Sequence, residues 1–350
     1  MNSVKAPAIG AAPPEWSGLV TDPNSTNSST APQYRRFTFA NATPRFAIIG
    51  VWVLLIIGYG IAEPATFLTA GTFQTIFASQ QALVFLTAAL LCTVVVGEFV
   101  DLSVPSIFGL AAMLLAVLVV NYHWNVWAAA MTAVAIAVLC GVVNGWLIVY
   151  VGVNTIVVTL GMGTVLLGIA LWISNLTPVS GLPLDFANIA LLPVLGLPIS
   201  FYEGLVLMLV FAYVLWFTPL GRKMRFVGAN REVSRLAGIR VNRLRFGSFI
   251  FAGLIAGLGG VISSAATGGF DPTVSQSYLL PVFAATFLGT AILEPGRFNP
   301  LGTLIAIYFL ATGILGLQLL GVAGWVSDVF YGGVLVIAVT ITTVLNRRVR

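Results

Sequence analysis

Ten apolar runs separated by polar connections fill the chain from residue 46 onward, at 46–62, 72–97, 104–121, 126–150, 155–174, 201–217, 246–268, 278–293, 300–320 and 325–345. A helix needs about 20 mostly apolar residues to cross the hydrocarbon core of a bilayer. The pattern therefore predicts an all-α polytopic membrane helix bundle of about ten transmembrane helices, some of them broken. Breaks near 97–103 and 151–155 carry no basic residue to fix their side, and a re-entrant segment at either would change the span count. Residues 1–45 are rich in Pro, Ser, Thr and Asn and read as a disordered cytoplasmic tail, leaving 46–346 as one membrane domain. The longest connections are 175–200, which carries Pro178, Pro183, Pro193 and Pro198, and 218–245.

Composition agrees with this pattern. The chain is 59% hydrophobic and 8% charged with mean hydropathy +1.01, where a soluble domain carries about 25% charged residues. The bulk of the chain belongs in lipid. A pI near 9.5 would fit nucleic acid, but the placement of the basic residues argues against it. They gather at Lys5, Arg35, Arg36 and Arg45, between Arg222 and Arg245, and at Arg347, Arg348 and Arg350, with Arg297 alone. Basic connections stay in the cytoplasm, so even numbers of spans should separate the three groups. Six runs precede the 218–245 connection and four follow it, which satisfies the rule, puts both termini in the cytoplasm and puts 175–200 outside.

Candidate chemistry concentrates in two places. Glu98 and Asp101 stand between Gly97 and Pro105, inside an apolar stretch. One reading is a broken helix whose carboxylates face a cavity or the bundle interior, since an ionisable group in the bilayer is costly. The other is a short interfacial loop with solvated carboxylates. The second place is Gly228–Ile239, which reads as a short surface helix capped by Asn230 and ended by a left-handed Gly238. It could lie on anionic headgroups as a basic anchor or dock a cytoplasmic partner.

Other features carry less. Cys92 and Cys140 read as small apolar residues, His123 as a loop residue, and the Gly141/Gly145 and Gly253/Gly257 spacings as close helix packing. No phosphate-binding loop and no hydrolase set is present, so the chain neither hydrolyses ATP nor acts as an enzyme. An ion-coupled secondary transporter remains the rival class, although it would have no need of the capped helix.

Four ordered motifs resemble the ribose-type ABC sugar permeases. Gly228, Asn230, Arg235, Leu236, Gly238 and Ile239 match that family's coupling loop, and Asp101, Leu102, Ser103, Val104 and Ser106 match its D-L-S-V-x-S element. Gly141, Asn144 and Gly145, with Thr159, Leu160 and Gly161, match its G-x-x-N-G and T-L-G elements, and Leu301-Gly302-Thr303-Leu304 its L-G-T-L. Glu98 and Pro105 stand where the family usually has glycine, and Asn154 where it usually has proline.

The resemblance implies the permease subunit of a bacterial ABC importer in the cytoplasmic membrane. Its implied cargo is a monosaccharide or polyol, with a branched-chain amino acid or nucleoside as alternatives. Implied partners are a cytoplasmic ATP-binding subunit, which would use ATP and Mg while this chain binds no cofactor, a solute-binding protein outside, and a second permease. With the physical reading, it implies a substrate pathway at Glu98, Asp101, Ser103, Asn144 and Thr159. It implies ATPase coupling at Gly228, Asn230, Arg231, Glu232, Arg235, Leu236 and Gly238.

Overall fold

The computed structural model describes residues 43–347. The tail expected over 1–45 lies outside the described residues, except that Thr43, Pro44 and Arg45 open the first helix. Helices α1 (Thr43–Ala62), α2 (Pro64–Phe67), α3 (Ala70–Ala78), α4 (Gln81–Val94), α5 (Val104–Val120) and α6 (Val126–Trp146) come first. A π-helical turn, Leu147–Val151, extends α6 before α7 (Thr155–Ile173). Next come strand β1 (Val179–Ser180), α8 (Leu184–Leu191), the strands β2 (Pro193–Val194) and β3 (Leu197–Pro198), and α9 (Ile199–Phe217). The second half holds α10 (Pro219–Ala229), α11 (Arg231–Leu236), α12 (Val241–Thr267), β4 (Gly269–Phe270), α13 (Val274–Ser277), α14 (Leu279–Gly289), α15 (Pro300–Leu319) and α16 (Trp325–Arg347).

Among the described residues, six helical segments are long and apolar enough to cross a membrane: Ala70–Val94, Val126–Val151, Thr155–Ile173, Ile199–Phe217, Val241–Thr267 and Pro300–Leu319. Four shorter apolar helices accompany them, at Ile48–Ala62, Val104–Val120, Val274–Gly289 and Trp325–Thr340. Three boundaries differ from the sequence expectation. The 218–245 connection is mostly helical, and α12 begins at Val241, so Arg243 and Arg245 lie in its first turns. The 278–293 run stops being helical at Gly289. The proline-rich 175–200 connection contains α8, which starts immediately after Pro183 and carries Asp185 in its first turn, where a carboxylate favours the helix dipole.

The core is built around α12, which packs most extensively on α6, α5 and α4. Glycines make this possible. A Cβ on Gly141 of α6 would collide with the Phe249 carbonyl oxygen of α12, and one on Gly253 of α12 would collide with the Ala137 carbonyl oxygen of α6. The two backbones touch, which large side chains at these positions would forbid. Helix α1 docks on α15 through Trp52 Nε1, which donates to Thr312 Oγ1 at 3.0 Å, and Tyr59 Oη, which donates to the Gly313 carbonyl at 3.1 Å.

Helix ends sort into two groups. At one end, α11 and the starts of α7 and α12 meet the α4–α5 connection, and Arg225 of α10 pairs with Glu294 of the α14–α15 connection at 3.5 Å. At the other end, β1 pairs antiparallel with β4, and the Gly268 carbonyl accepts from the backbone N–H groups of Gly181 and Leu182 at 2.9 and 3.1 Å. The arginine-rich elements all sit at the first of these ends.

Candidate functional site

The connection from Val95 to Ser103 owes its shape to one glycine. Gly97 has φ +87°, its N–H donates to the Val94 carbonyl, and the Glu98 N–H reaches back to the Thr93 carbonyl, each at 3.0 Å. This hydrogen-bond pair ends a helix by a left-handed residue, a conformation in which glycine has no Cβ to clash. The chain turns sharply, so the Glu98 carboxylate is delivered directly at the end of α4. Proline at position 105 then restarts the helix as α5.

Glu98 and Asp101 are both buried, with 4% and 1% of their surface exposed, so neither is a solvated loop carboxylate. They nevertheless look in different chemical directions. Glu98 Oε1 accepts from Arg231 Nη2 at 2.8 Å and from Arg245 Nε at 2.5 Å, while Oε2 accepts from Thr155 Oγ1 at 2.7 Å. Arg231 Nη2 also donates to the Gly97 carbonyl at 2.7 Å. Asp101 instead folds back on its own turn, where its Oδ1 accepts from the Ser103 N–H at 3.1 Å and from Ser103 Oγ at 2.6 Å. Aspartate favours this local turn because its short side chain reaches the backbone two residues on.

Ser103 passes the polar chain deeper. Its Oγ accepts from Asn144 Nδ2 of α6 at 2.8 Å. Asn144 is fully buried, and its Oδ1 has no hydrogen-bond partner among the described residues. Thr159 of α7, also fully buried, contributes its Oγ1 to the Val100 carbonyl at 3.4 Å. One turn further along α5, Ser106 Oγ accepts from Gln276 Nε2 of α13 at 2.9 Å. The four expected pathway residues Asp101, Ser103, Asn144 and Thr159 are thus brought together around the α4–α5 break, and Glu98 faces away from them toward the arginines.

Helix α11 begins and ends as its sequence dictates. Asn230 Oδ1 accepts from the N–H groups of Glu232 and Val233 at 3.0 and 3.1 Å. At the other end Gly238 has φ +78°, and the N–H groups of Gly238 and Ile239 donate to the carbonyls of Arg235 and Ser234, both at 3.0 Å. Gly228, at the end of α10, lies against the break: a Cβ there would collide with the Val95 carbonyl oxygen. The expected coupling residues therefore divide. Gly228 and Arg231 hold the element to the bundle, Asn230 and Gly238 shape it, and Glu232, Arg235 and Leu236 are exposed, Leu236 by 88%. Among the described residues, Arg235 and Glu232 pair only with each other, at 3.6 Å.

Arg245 and Thr155 belong to this site and do not follow from the motifs. Arg245 counts in the sequence only as one more basic residue of a cytoplasmic connection, and its carboxylate partner is 147 residues away. At the opposite end, a mainly apolar cavity of about 260 Å³ lies among Val179, Phe270, Val274 and Tyr278, with Ser263 and Asp271 also in its lining. Hydrogen bonds from Thr273 hold the Asp271 carboxyl below the usual carboxylate range. No group of residues suited to a metal ion occurs among the described residues.

A charged helix on a basic end and a buried polar chain behind it are arrangements expected of a transport subunit. Residues 74–339 match the family described as "Branched-chain amino acid transport system / permease component". D-allose transport system permease protein AlsC of Escherichia coli (strain K12) is 27% identical over 323 residues, which is 91% of this chain and 98% of that protein. Autoinducer 2 import system permease protein LsrD of the same strain is 30% identical over 300 residues, 84% of this chain and 90% of that protein, and the Shigella flexneri LsrD matches equally. No solved structure matches the chain. The chain belongs to the branched-chain amino acid transport system permease family, as a multi-pass membrane protein and a transport component rather than an enzyme.

Proposed function

We propose that this protein is the membrane-spanning permease subunit of a bacterial ABC importer in the cytoplasmic membrane, moving a small polyhydroxylated solute, a monosaccharide or polyol, inward by alternating access. The observation that carries the reading is the α10–α11 element, a capped helix on the basic end that presents an 88% exposed Leu236 and is tied at its base to a buried break between spans. A lipid anchor would have no use for an arginine turned inward to a buried carboxylate. A groove on an ATP-binding subunit would take up Leu236 and Val233, and ATP with its Mg would belong to that subunit.

Ten spans with both termini in the cytoplasm follow from applying the basic-residue rule to the ten apolar runs. Short members such as α5, 17 residues long, reach about 25 Å at 1.5 Å per residue, against a hydrocarbon core of about 30 Å. Asp101, Ser103, Asn144 and Thr159 form the pathway-facing polar set in this reading, and the free Asn144 Oδ1 is its unspent acceptor. A relative named for D-allose supports a monosaccharide over the branched-chain amino acid in the family's description. The remaining partners are a solute-binding protein docking at the β1–β4 end and a second permease, either a copy or a homologue.

Reconstituted vesicles test the reading. Uptake should require the ATP-binding subunit and ATP, and cysteines placed at 222–240 should label only from the side where ATP is hydrolysed, those at 180–195 only from the other. Uptake driven by an ion gradient without ATP would replace the importer with a secondary transporter.

A further inference from the structure

Both oxygens of Glu98 are engaged by donors from the protein itself. Three donors from three separate helices converge on it: Arg231 from α11, Arg245 from α12 and Thr155 from α7. The carboxylate itself stands one residue after the glycine that ends α4 and three before Asp101. Arg231 grips the same turn twice, through Glu98 Oε1 and through the Gly97 carbonyl. Gly228 lets the end of α10 rest directly on the Val95 carbonyl. The surface element and the break between spans thus meet backbone to backbone, with one buried carboxylate holding two guanidinium groups at the seam.

We infer that Glu98 is the joint of this permease, a positioning residue through which force on α10–α11 is passed into the α4–α5 break and on to Asp101 and Ser103. The inference rests on the permease reading above. Physically, a charged bridge between elements transmits displacement only if it is stiffer than its surroundings. A buried carboxylate with two guanidinium groups bonded to one of its oxygens meets that condition, because removing it leaves like charges facing each other in a poorly solvated place. The segment that follows has few alternatives to moving with it. Residues 99–103 form no helix, and among the described residues the only side chain that Asp101 bonds, Ser103, is in the same turn. An isolated fold staple would instead leave the break indifferent to what happens at α11.

Amide hydrogen exchange on the purified complex of this chain with its ATP-binding subunit, with and without ATP and Mg, decides it. In the unaltered complex ATP should change exchange at 231–239 and at 97–103 together, each by about tenfold. In Glu98→Gln the response at 231–239 and the ATPase rate should persist while the response at 97–103 is lost. Arg231→Gln, which breaks the same pair from the α11 side and leaves Glu98 bonded to Arg245 and Thr155, should also lose the response at 97–103, and it stands in should Glu98→Gln fail to accumulate. A Glu98→Gln complex that responds at 97–103 like the unaltered one, or an unaltered complex silent at 97–103, overturns the joint. Failure of any ATP-binding subunit to associate overturns the permease reading itself, and that result is visible before exchange is measured.

Discussion

Helices α7 and α12 are alike in sequence and opposite in situation. The span Thr155–Ile173 has the higher hydropathy, 2.3 against 1.9 for Val241–Thr267, yet 28% of its most apolar window is buried inside the protein against 67% for α12. In a soluble protein the more apolar helix would be the more buried. Here lipid is as apolar as the core, so hydropathy decides only that a helix spans, and small residues decide which helices touch. Both helices carry glycines, but Gly253 and Gly260 of α12 meet carbonyl oxygens of α6 and α5, while Gly161 and Gly168 of α7 have nothing within 4 Å. Contact between backbones, rather than greasiness, builds this core.

The same substitution placed in both helices tests that contrast most severely. Gly253→Val forces a side chain into the Ala137 carbonyl and should cost about 3 kcal/mol, the upper part of the range for overpacking. Gly161→Val should change stability by under about 0.5 kcal/mol, as exposed substitutions do. Cys92 and Cys140 are both buried and free, so their labelling by a thiol-reactive dye on heating reads the unfolding in either variant. Equal effects at the two positions would remove the distinction.

Two arginines four residues apart sharpen it at the basic end. Arg231→Ala leaves Glu98 with less than its full set of donors and should destabilise by about 2 kcal/mol, below the 3–5 typical of breaking a buried pair because Arg231 is itself 38% exposed. Arg235→Ala breaks a pair with both partners well exposed and should cost under about 0.5 kcal/mol in the isolated chain. The ranking should reverse when association with the ATP-binding subunit is measured, since Arg235 lies on the open face beside Leu236. The same dye assay and a co-purification assay give the two rankings.

Asp101→Asn addresses the break that lies against both α5 and α7. The amide keeps the shape and can still accept from the Ser103 N–H, so insertion and dye labelling should stay near normal while ATP-driven uptake falls about tenfold, a barrier change of about 1.4 kcal/mol. Normal uptake would make Asp101 a turn-forming residue only. A gain in stability is expected for Gly168→Ala on the exposed face of α7, which should stabilise the helix by about 0.5–1 kcal/mol through propensity alone. A loss there instead of a gain, appearing only in the assembled transporter, would mean that a neighbouring subunit covers α7.

Much of this fold is legible because each span announces itself locally. The run expected at 155–174 is the helix Thr155–Ile173, and Asn230 and Gly238 cap α11 as their types require. The Gly141/Gly145 and Gly253/Gly257 spacings do mark the helices in closest contact. What is hidden is pairing over long separations. Nothing within ten residues of Glu98 tells that its partners are Arg231 and Arg245, because a carboxylate in an apolar stretch looks the same whether it faces solute or guanidinium. The reach of α12 into the basic connection was equally masked, since Arg243 and Arg245 read as loop charges until the helix is seen to carry them.

The length of α12 has a mechanical consequence. Its 27 residues make a rod of about 40 Å at 1.5 Å per residue. Near its foot Arg245 holds the seam at Glu98, and just past its tip the Gly268 carbonyl holds Gly181 and Leu182 beside the β1–β4 pair. Because glycines bring its middle against the α6 backbone, a force on such a rod would tilt it about α6 more readily than slide it. A tilt of about 5° over that length displaces one tip against the other by about 3.5 Å. About half of that, roughly 1.7 Å, appears at each tip and in opposite directions, so a movement at the foot returns reversed beside the β1–β4 pair.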